Sequence, residues 1–305
     1  MPLNIAKAFN NAYIVLIIAP LFWGGNAVAG KLATLDWQPF TITCIRWMLT
    51  TAVLLPFACK HVRDDSEVLK KSWLTLFLLG ALGMALFNLS MYLSLNYTTA
   101  VNVSIEQAAM PAMIMFANFV LLSQRVTLLQ ITGLISCGIG VLITATEGEP
   151  SVFFKQGLNR GDAIMLLGCV FYAAYTFGLR WKPKVHWLSF LLFIAIGAAS
   201  MSLPFMLWEI QQQPFTAPTA RGWMVMAYVV VFPTIVSQIA YARGVELIGG
   251  NRAGLFINLV PIFGSLLAVL ILGEQFRMYH ALGLLLVIGG IMFAERFAAK
   301  EDGRA

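Results

Sequence analysis

Two charged residues stand inside apolar surroundings. Glu106 lies about two turns into "TTAVNVSIEQAAMPAMIMFANFVLL" (residues 98–122), and Arg46 lies within "CIRWML". A charge in the middle of a membrane-spanning helix costs about 2.5–3.5 kcal/mol on insertion scales, so each needs a partner or a role. Counted at 1.5 Å per residue from span starts near Thr99 and Pro39, both sit about 10 Å below one surface, a layer that also holds Asn26, Asn88 and Tyr92. The expectation is that Glu106 pairs with Arg46, directly or through water. Whether such a pair shapes a gate, senses substrate or protons, or simply fixes packing stays open. Phe256 occupies the position in the second half of the chain that corresponds to Glu106, which weighs against proton coupling as the sole role.

A second polar set belongs to the opposite half of the membrane: Gln238, Asn258 and Tyr175. Amides and phenols hydrogen-bond polar groups without the solvation cost of a net charge. Trp23, Tyr92, Tyr172, Tyr175 and Tyr241 could stack on a planar group, Trp23 and Tyr172 being the best placed for an interior cavity. Tyr and Trp also gather at membrane interfaces, which suits Tyr92 and Tyr241. Met110, with Met113 and Met115, could form an adaptable apolar wall. Pro111, Pro233 and Pro261 are expected near helix centres, where each would remove one hydrogen bond and free a carbonyl.

Other chemistries find no support. HExxH, GxSxG, paired acids and a G-x-x-x-x-G-K-[ST] loop are all absent, so an enzyme is not expected. Cys44, Cys59, Cys137 and Cys169 form no CxxC pair, and His61, His186 and His280 have no metal-ligand spacing. No metal and no cofactor is expected.

The elements that must position these residues follow from composition. Of 305 residues, 59% are hydrophobic and 11% charged, against about 25% charged in a soluble domain. The chain reads as an all-α integral membrane protein. Ten apolar spans fit the length of about 20 residues needed to cross a bilayer: 12–30, 39–59, 73–95, 99–122, 127–146, 162–180, 187–208, 223–243, 251–272 and 278–297. "AVAG" at residues 27–30 resembles a signal-cleavage site, but the first span reads as a retained helix.

Lys and Arg in the connections set the orientation. With the N-terminus inside, Lys7, Lys60, Arg63, Lys70, Lys71, Arg125, Arg180, Lys182, Lys184, Arg243, Arg252, Arg296, Lys300 and Arg304 are internal, fourteen in all. Five are external: Lys31, Lys155, Arg160, Arg221 and Arg277. Both termini are therefore expected in the cytoplasm of a bacterial-type inner membrane. The net charge of +6 follows from this bias and requires no nucleic-acid partner. "KHVRDDSEVLKK" could touch anionic lipid.

The chain also repeats itself. "MPAMIMFANFVLLSQRVTLLQITGLISCGIGVLI" from Met110 aligns with "VPIFGSLLAVLILGEQFRMYHALGLLLVIGGIMF" from Val260 at a constant offset of 150: Pro111 with Pro261, Gln124 with Glu274, Gly133 with Gly283, Gly140 with Gly290. Asn88 and Gln238 share the offset, and "FWGGNAVAGK" from Phe22 aligns with "FYAAYTFGLR" from Phe171 at 149. The halves, 1–146 and 147–305, each hold five spans. Because five is odd, the second enters the membrane from the opposite side, as in many secondary transporters. The glycines of the fifth and tenth spans, Gly133, Gly138, Gly140, Gly283, Gly289 and Gly290, are expected at close helix contacts.

"FWGGN", Arg46 in "CIRWML", "YLSLNYTTAVNVSIEQAAMPAMIMF" and "LGEQFRMYHALGLLLVIGGIMF" together resemble the drug/metabolite transporter superfamily, in its ten-helix EamA-type branch, over residues 12–297. Within that branch the chain is most similar to aromatic amino acid exporters of the YddG type. The resemblance implies two inverted five-helix repeats around a central cavity ringed by spans one, three, four, six, eight and nine, with spans five and ten peripheral. It implies export of small organic metabolites, most of all aromatic or other apolar amino acids, by alternating access. A multidrug or other metabolite carrier of the same fold, with or without proton coupling, is the alternative, and a non-transporting membrane receptor or enzyme is the remote one. A small-molecule substrate and membrane lipid are the expected partners, and a monomer is the expected state. "FYAAYTF" in place of "FWGGNAV" makes the two mouths chemically unequal.

Overall fold

The computed structural model describes residues 9–122, 128–149, 159–248, 253 and 255–298. Among them are ten long helices and no strand. α1 is Ala12–Ala33, α2 is Pro39–Asp64 and α3 is Trp73–Ser94. α4 comprises Ala100–Gln107 and Met110–Leu122, and α5 is Leu128–Ala145. α6 is Arg160–Gly178, α7 Trp187–Gln212 and α8 Ala220–Ile248. α9 runs as a tight turn, Leu255–Asn258, then Leu259–Leu267 and Ala268–Leu272, and α10 is Met278–Ala298. Six of these (α1, α2, α3, α6, α7 and α8) are uninterrupted, long and apolar enough to cross a bilayer. The rest are shorter or broken. A six-residue amphipathic helix, Ser66–Lys71, joins α2 to α3.

The backbone repeats its irregularities at the offset seen in the sequence. α3 widens into a π-helical turn at Gly80–Leu86, and α8 does the same at Val230–Val236, 150 residues on. α4 breaks at Ala108–Ala109, where both N–H groups bond three residues back, and α9 changes from tight turn to α-helix at Asn258–Leu259. This corrects the expected mid-helix prolines. Pro111 and Pro261 each fall in the first turn of a restarted helix, where a missing N–H has no intrahelical partner to lose. The side chains of Pro111 and Met115 lie outside the described residues, as do Gln124, Arg125, Lys155 and Arg252. Pro233 does sit inside a helix. The Val229 carbonyl there accepts the Thr234 hydroxyl at 2.7 Å, and the Pro233 carbonyl accepts Trp23 Nε1–H at 3.0 Å.

The halves meet face to face along α5 and α10. The Ser136 hydroxyl donates to the Leu286 carbonyl at 2.9 Å, and the Cys137 thiol to that of Val287 at 3.4 Å. Each pair is 150 residues apart, so the axis relating the repeats passes between them. A methyl on Gly140 would lie 2.7 Å from the Gly283 carbonyl, and one on Gly290 2.6 Å from that of Gly133. Gly138 and Gly289, expected at the same contact, face open space instead. Gly290→Ala is therefore expected to destabilise the protein by about 1–3 kcal/mol through overpacking. Gly289→Ala, one residue away, should leave the melting temperature unchanged or raise it, since Ala favours the helix. Paired thermal melts in one detergent check both.

Candidate functional site

α2 delivers Arg46 to the centre of the molecule, where residues of three other helices satisfy it. One terminal nitrogen donates to Asn26 Oδ1 of α1 at 3.2 Å, and to Asn88 Oδ1 and the Tyr92 hydroxyl of α3 at 2.8 and 2.6 Å. Nε and the other terminal nitrogen donate to the Thr234 hydroxyl in the π turn of α8, at 3.1 and 2.7 Å. The guanidinium also lies 5.3 Å from the Trp47 ring centroid. All five members of this cage are buried. Among the described residues every partner is neutral, so the cation is solvated by dipoles and balanced there by no carboxylate. The layer of Asn26, Arg46, Asn88 and Tyr92 is as expected. The pairing with Glu106 is corrected: Glu106 takes no hydrogen bond from Arg46 and faces Asp162 of α6.

Around and beyond the cage, the two ends of the bundle differ. At the end assigned to the outside by charge, polar contacts tie helix to helix. Lys31 of α1 donates to the Leu95 and Thr98 carbonyls at the end of α3, at 2.6 and 2.8 Å. Glu209 of α7 caps the start of α2, accepting from the Phe40 and Thr41 N–H groups and the Thr41 hydroxyl. Gly273, at φ +69°, ends α9 in the left-handed conformation, and the next residue, Glu274, caps α4 through the Ala100 and Val101 N–H groups, both at 2.9 Å. A carboxylate suits these helix N-termini by both hydrogen bonding and dipole. Asp36 clasps Thr219 and Arg221, and Trp37 Nε1 donates to the Gly222 carbonyl at 2.9 Å. One continuous apolar cluster, drawing on α1–α6 and α8–α10, fills this half.

In the inner half the apolar packing divides, among the described residues, into two separate clusters. One joins α2, α3, α6 and α7 through Leu54, Leu79, Tyr175, Leu192 and their neighbours. The other joins α1, α8 and the start of α9 through Val15, Leu16, Ala240 and Ala253. The aromatic candidates line the division. Trp23 packs on Tyr241 with ring centroids 5.4 Å apart on one side, and Tyr172 contacts Phe87 and Tyr175 at 5.1 and 5.4 Å on the other. Tyr172 is half-buried against the first of these clusters and Tyr241 against the second. Tyr241 is therefore a lining residue as well as a candidate for the interfacial belt. Trp23 bonds to Pro233, the neighbour of Thr234, so the aromatic lining begins next to the arginine cage. Met110, Gln238 and Asn258 are half-buried, whereas Tyr175 is buried, and no hydrogen bond joins Gln238, Asn258 and Tyr175 among the described residues.

The inequality of the repeats has a packing cause. A methyl on Gly24 would lie 2.6 Å from the Gly264 nitrogen, so α1 and α9 touch backbone to backbone. The corresponding positions on α6 and α4 are Ala173 and Ile114, whose side chains rule out the same backbone contact.

The sequence profile of the EamA-like transporter family matches this chain twice, over residues 10–146 and 159–295. The chain belongs to the EamA-like transporter family. Among the relatives of this EamA-like transporter is the Bacillus subtilis (strain 168) "Uncharacterized transporter YetK", 24% identical over 94% of this chain and 87% of that one. Bacillus subtilis YyaM, also named an uncharacterized transporter, is 25% identical over 93% of each chain. The Salmonella typhimurium "Uncharacterized inner membrane transporter YicL" is 23% identical over 91% and 92%. A solved crystal structure shares the fold of this EamA-like transporter, with a TM-score of 0.64 at 18% identity over 94% of this chain and 98% of that one. The family makes the protein a multi-pass membrane transporter.

Several residues of the EamA-like transporter's site were not expected from its sequence: Thr234, Asp162, Thr98, Glu209 and the Asp36–Arg221 clasp. Glu209 and Asp36 were open to detection as acids at outer span ends. Thr234 was not, because its role depends on the π turn after Pro233.

Two measurements test this geometry. Arg46→Met strands buried acceptors and should destabilise by about 3 kcal/mol, with Thr234→Val costing about 1–2 kcal/mol, both read as thermal shifts in detergent. The Thr219 hydroxyl and then Arg221 hold the Asp36 carboxyl below the usual carboxylate range. A carboxyl depressed by folding contributes stability above its unfolded value, about 3.9, and loses it as pH falls through the folded value. Asp36→Asn should therefore lower the melting temperature at neutral pH, and the gap to wild type should close as the medium is acidified.

Proposed function

We propose that this protein is a secondary transporter of a bacterial-type cytoplasmic membrane that exports small organic metabolites, foremost amino acids with aromatic or other apolar side chains. It works by alternating access between two inverted repeats, 1–146 and 147–305, with both termini in the cytoplasm. The observation that carries this reading is the buried Arg46 cation, whose partners among the described residues are all neutral. A substrate carboxylate arriving from the inner cleft would supply the missing anion, by a charge-assisted hydrogen bond of a kind Arg favours. Trp23, Tyr172 and Tyr241 then offer flat surfaces to a planar side chain just inward of the cage, and the half-buried amides Gln238 and Asn258 offer acceptors to an ammonium group. The state described here, joined outside and divided inside, is the one that loads from the cytoplasm. Parting of the outer contacts and closure of the inner clusters completes the cycle. This is the behaviour expected of the YddG type of exporter.

Counterflow in proteoliposomes tests it. Vesicles loaded with unlabelled tryptophan or phenylalanine should accumulate labelled amino acid with no imposed proton gradient. Arg46→Ala should lower transport efficiency by about 10- to 150-fold, the worth of one charged hydrogen bond. Trp23→Ala and Tyr241→Ala should raise KM for tryptophan more than for leucine. Tryptamine, which lacks the carboxylate, should compete poorly. Folded protein that moves no amino acid would overturn the substrate assignment in favour of a drug or other metabolite.

A further inference from the structure

Glu106 presents an acceptor with nothing to accept. It is 0% exposed, and neither carboxyl oxygen has a hydrogen-bond partner among the described residues. Buried polar atoms in folded proteins are nearly always paired, and a bare carboxylate in an apolar interior is far more costly than a bare amide. Its ionisable neighbour is another acid, Asp162 in the first turn of α6, which bonds to Thr98 and so lies over the face of α4 that carries Asn102 and, four residues on, Glu106; the two acids interact by charge.

The surroundings of Asp162 are ordered in one direction. His280 Nδ1 accepts the Arg277 backbone N–H at 3.0 Å, so the imidazole proton sits on Nε2. Nε2 then donates to Asn102 Oδ1 at 3.1 Å. The Asn102 amide nitrogen in turn donates to the Thr98 hydroxyl at 3.3 Å, and that hydroxyl donates to Asp162 Oδ1 at 2.5 Å. The relay from α10 through α4 thus fixes one Asp162 oxygen as an acceptor from Thr98. It supplies no donor to Glu106.

The other titratable groups nearby do not supply one either. On α6, Cys169 directs its thiol to the Glu106 backbone carbonyl at 3.6 Å. Glu147, after α5, adds negative charge near Asp162, which also senses Tyr279 of α10. Lys31 of α1 is committed to the Leu95 and Thr98 carbonyls, and Tyr92 of α3 to Arg46. Glu274, next to α9, caps α4.

We propose that Glu106 and Asp162 form a proton-binding site, one proton being shared between a carboxyl oxygen of each. The proton supplies the donor that Glu106 lacks and leaves one negative charge where there would be two, as in other close carboxyl pairs. In the state described here the site is enclosed by the outer packing, so it loads when the outer contacts part. Resting on the transport function proposed above, the site couples proton entry to substrate exit.

Infrared spectroscopy of the protein in lipid nanodiscs tests the site without reference to transport. Wild type should show the C=O band of a protonated carboxylic acid that disappears as pH is raised, in sodium-containing and sodium-free buffer alike. Glu106→Gln should remove that band, and Asp162→Asn should shift it. Absence of the band at every pH, or its persistence unchanged in both variants, would overturn the proposal. A band seen only without sodium would overturn it in favour of a metal-cation site. Should Glu106→Gln fail to fold, dicyclohexylcarbodiimide probes wild type directly. It adds across the O–H of a protonated carboxyl with nothing leaving, so peptide mass mapping should find an adduct on Glu106 or Asp162 that diminishes at high pH. An unmodified pair at low pH would count against the site. In proteoliposomes, an inward proton gradient should stimulate wild-type tryptophan export severalfold and leave Glu106→Gln at its rate without a gradient. Equal stimulation of both would refute the coupling. If tryptophan does not move at all, the substrate reading fails while the infrared result still decides the proton site.

Discussion

Much of the inner architecture answers to one requirement: a guanidinium held in the membrane interior must have all its donors occupied. Each of the three Arg46 nitrogens finds an oxygen atom, drawn from α1, α3 and α8, three helices other than its own. The Thr234 hydroxyl is placed for this by the π turn, and that turn contains Pro233, which cannot offer an N–H to the carbonyl four residues back. Asn88 is oriented through its own amide, which donates to the Met84 carbonyl inside the matching π turn of α3. The two irregular turns are thus part of the solvation of one cation. A helix bundle of regular geometry would present different faces at these depths.

The same cage also marks a boundary in the packing. Outward of it, capping carboxylates and Lys31 stitch helix ends together over a single apolar cluster. Inward of it, apolar contacts gather into two bodies with aromatic rings at their facing edges. A substrate group that drew the guanidinium away from Asn26, Asn88, Tyr92 or Thr234 would loosen α1, α3 and α8 from one another. Under the proposed function, recognition and conformational change would share the same hydrogen bonds.

The architecture was legible to different depths. Span number, repeat offset and the layer of Asn26, Arg46, Asn88 and Tyr92 came from periodicity and residue counting, because helix rise is constant and apolar length is set by the bilayer. The partner of Arg46 was misread for a definite reason. Residue counting gives depth along a helix and says nothing of azimuth. Glu106 shares the depth but turns towards α6, where Asp162 waits. Pro111 and Pro261 were misplaced as kinks because a break two residues earlier, at Ala108–Ala109 or Asn258–Leu259, leaves no mark in composition. Gly138 and Gly289 look in sequence like the contact glycines Gly140 and Gly290, because spacing alone cannot separate the faces of a glycine-rich helix, yet both face open space.

The crossing of α5 and α10 bears on the history of the chain as well as its packing. Ser136 meets Leu286 and Cys137 meets Val287, each residue facing its own counterpart in the other half. This is the geometry of an isologous interface, in which a surface recognises an inverted copy of itself. A five-helix chain inserted in both orientations would already possess the contact that now joins the two halves. Fusion of two such chains frees each copy to diverge. The Gly24–Gly264 contact on one side, against Ala173 and Ile114 on the other, is a trace of that freedom: it turns a symmetric pair into a molecule with distinguishable faces.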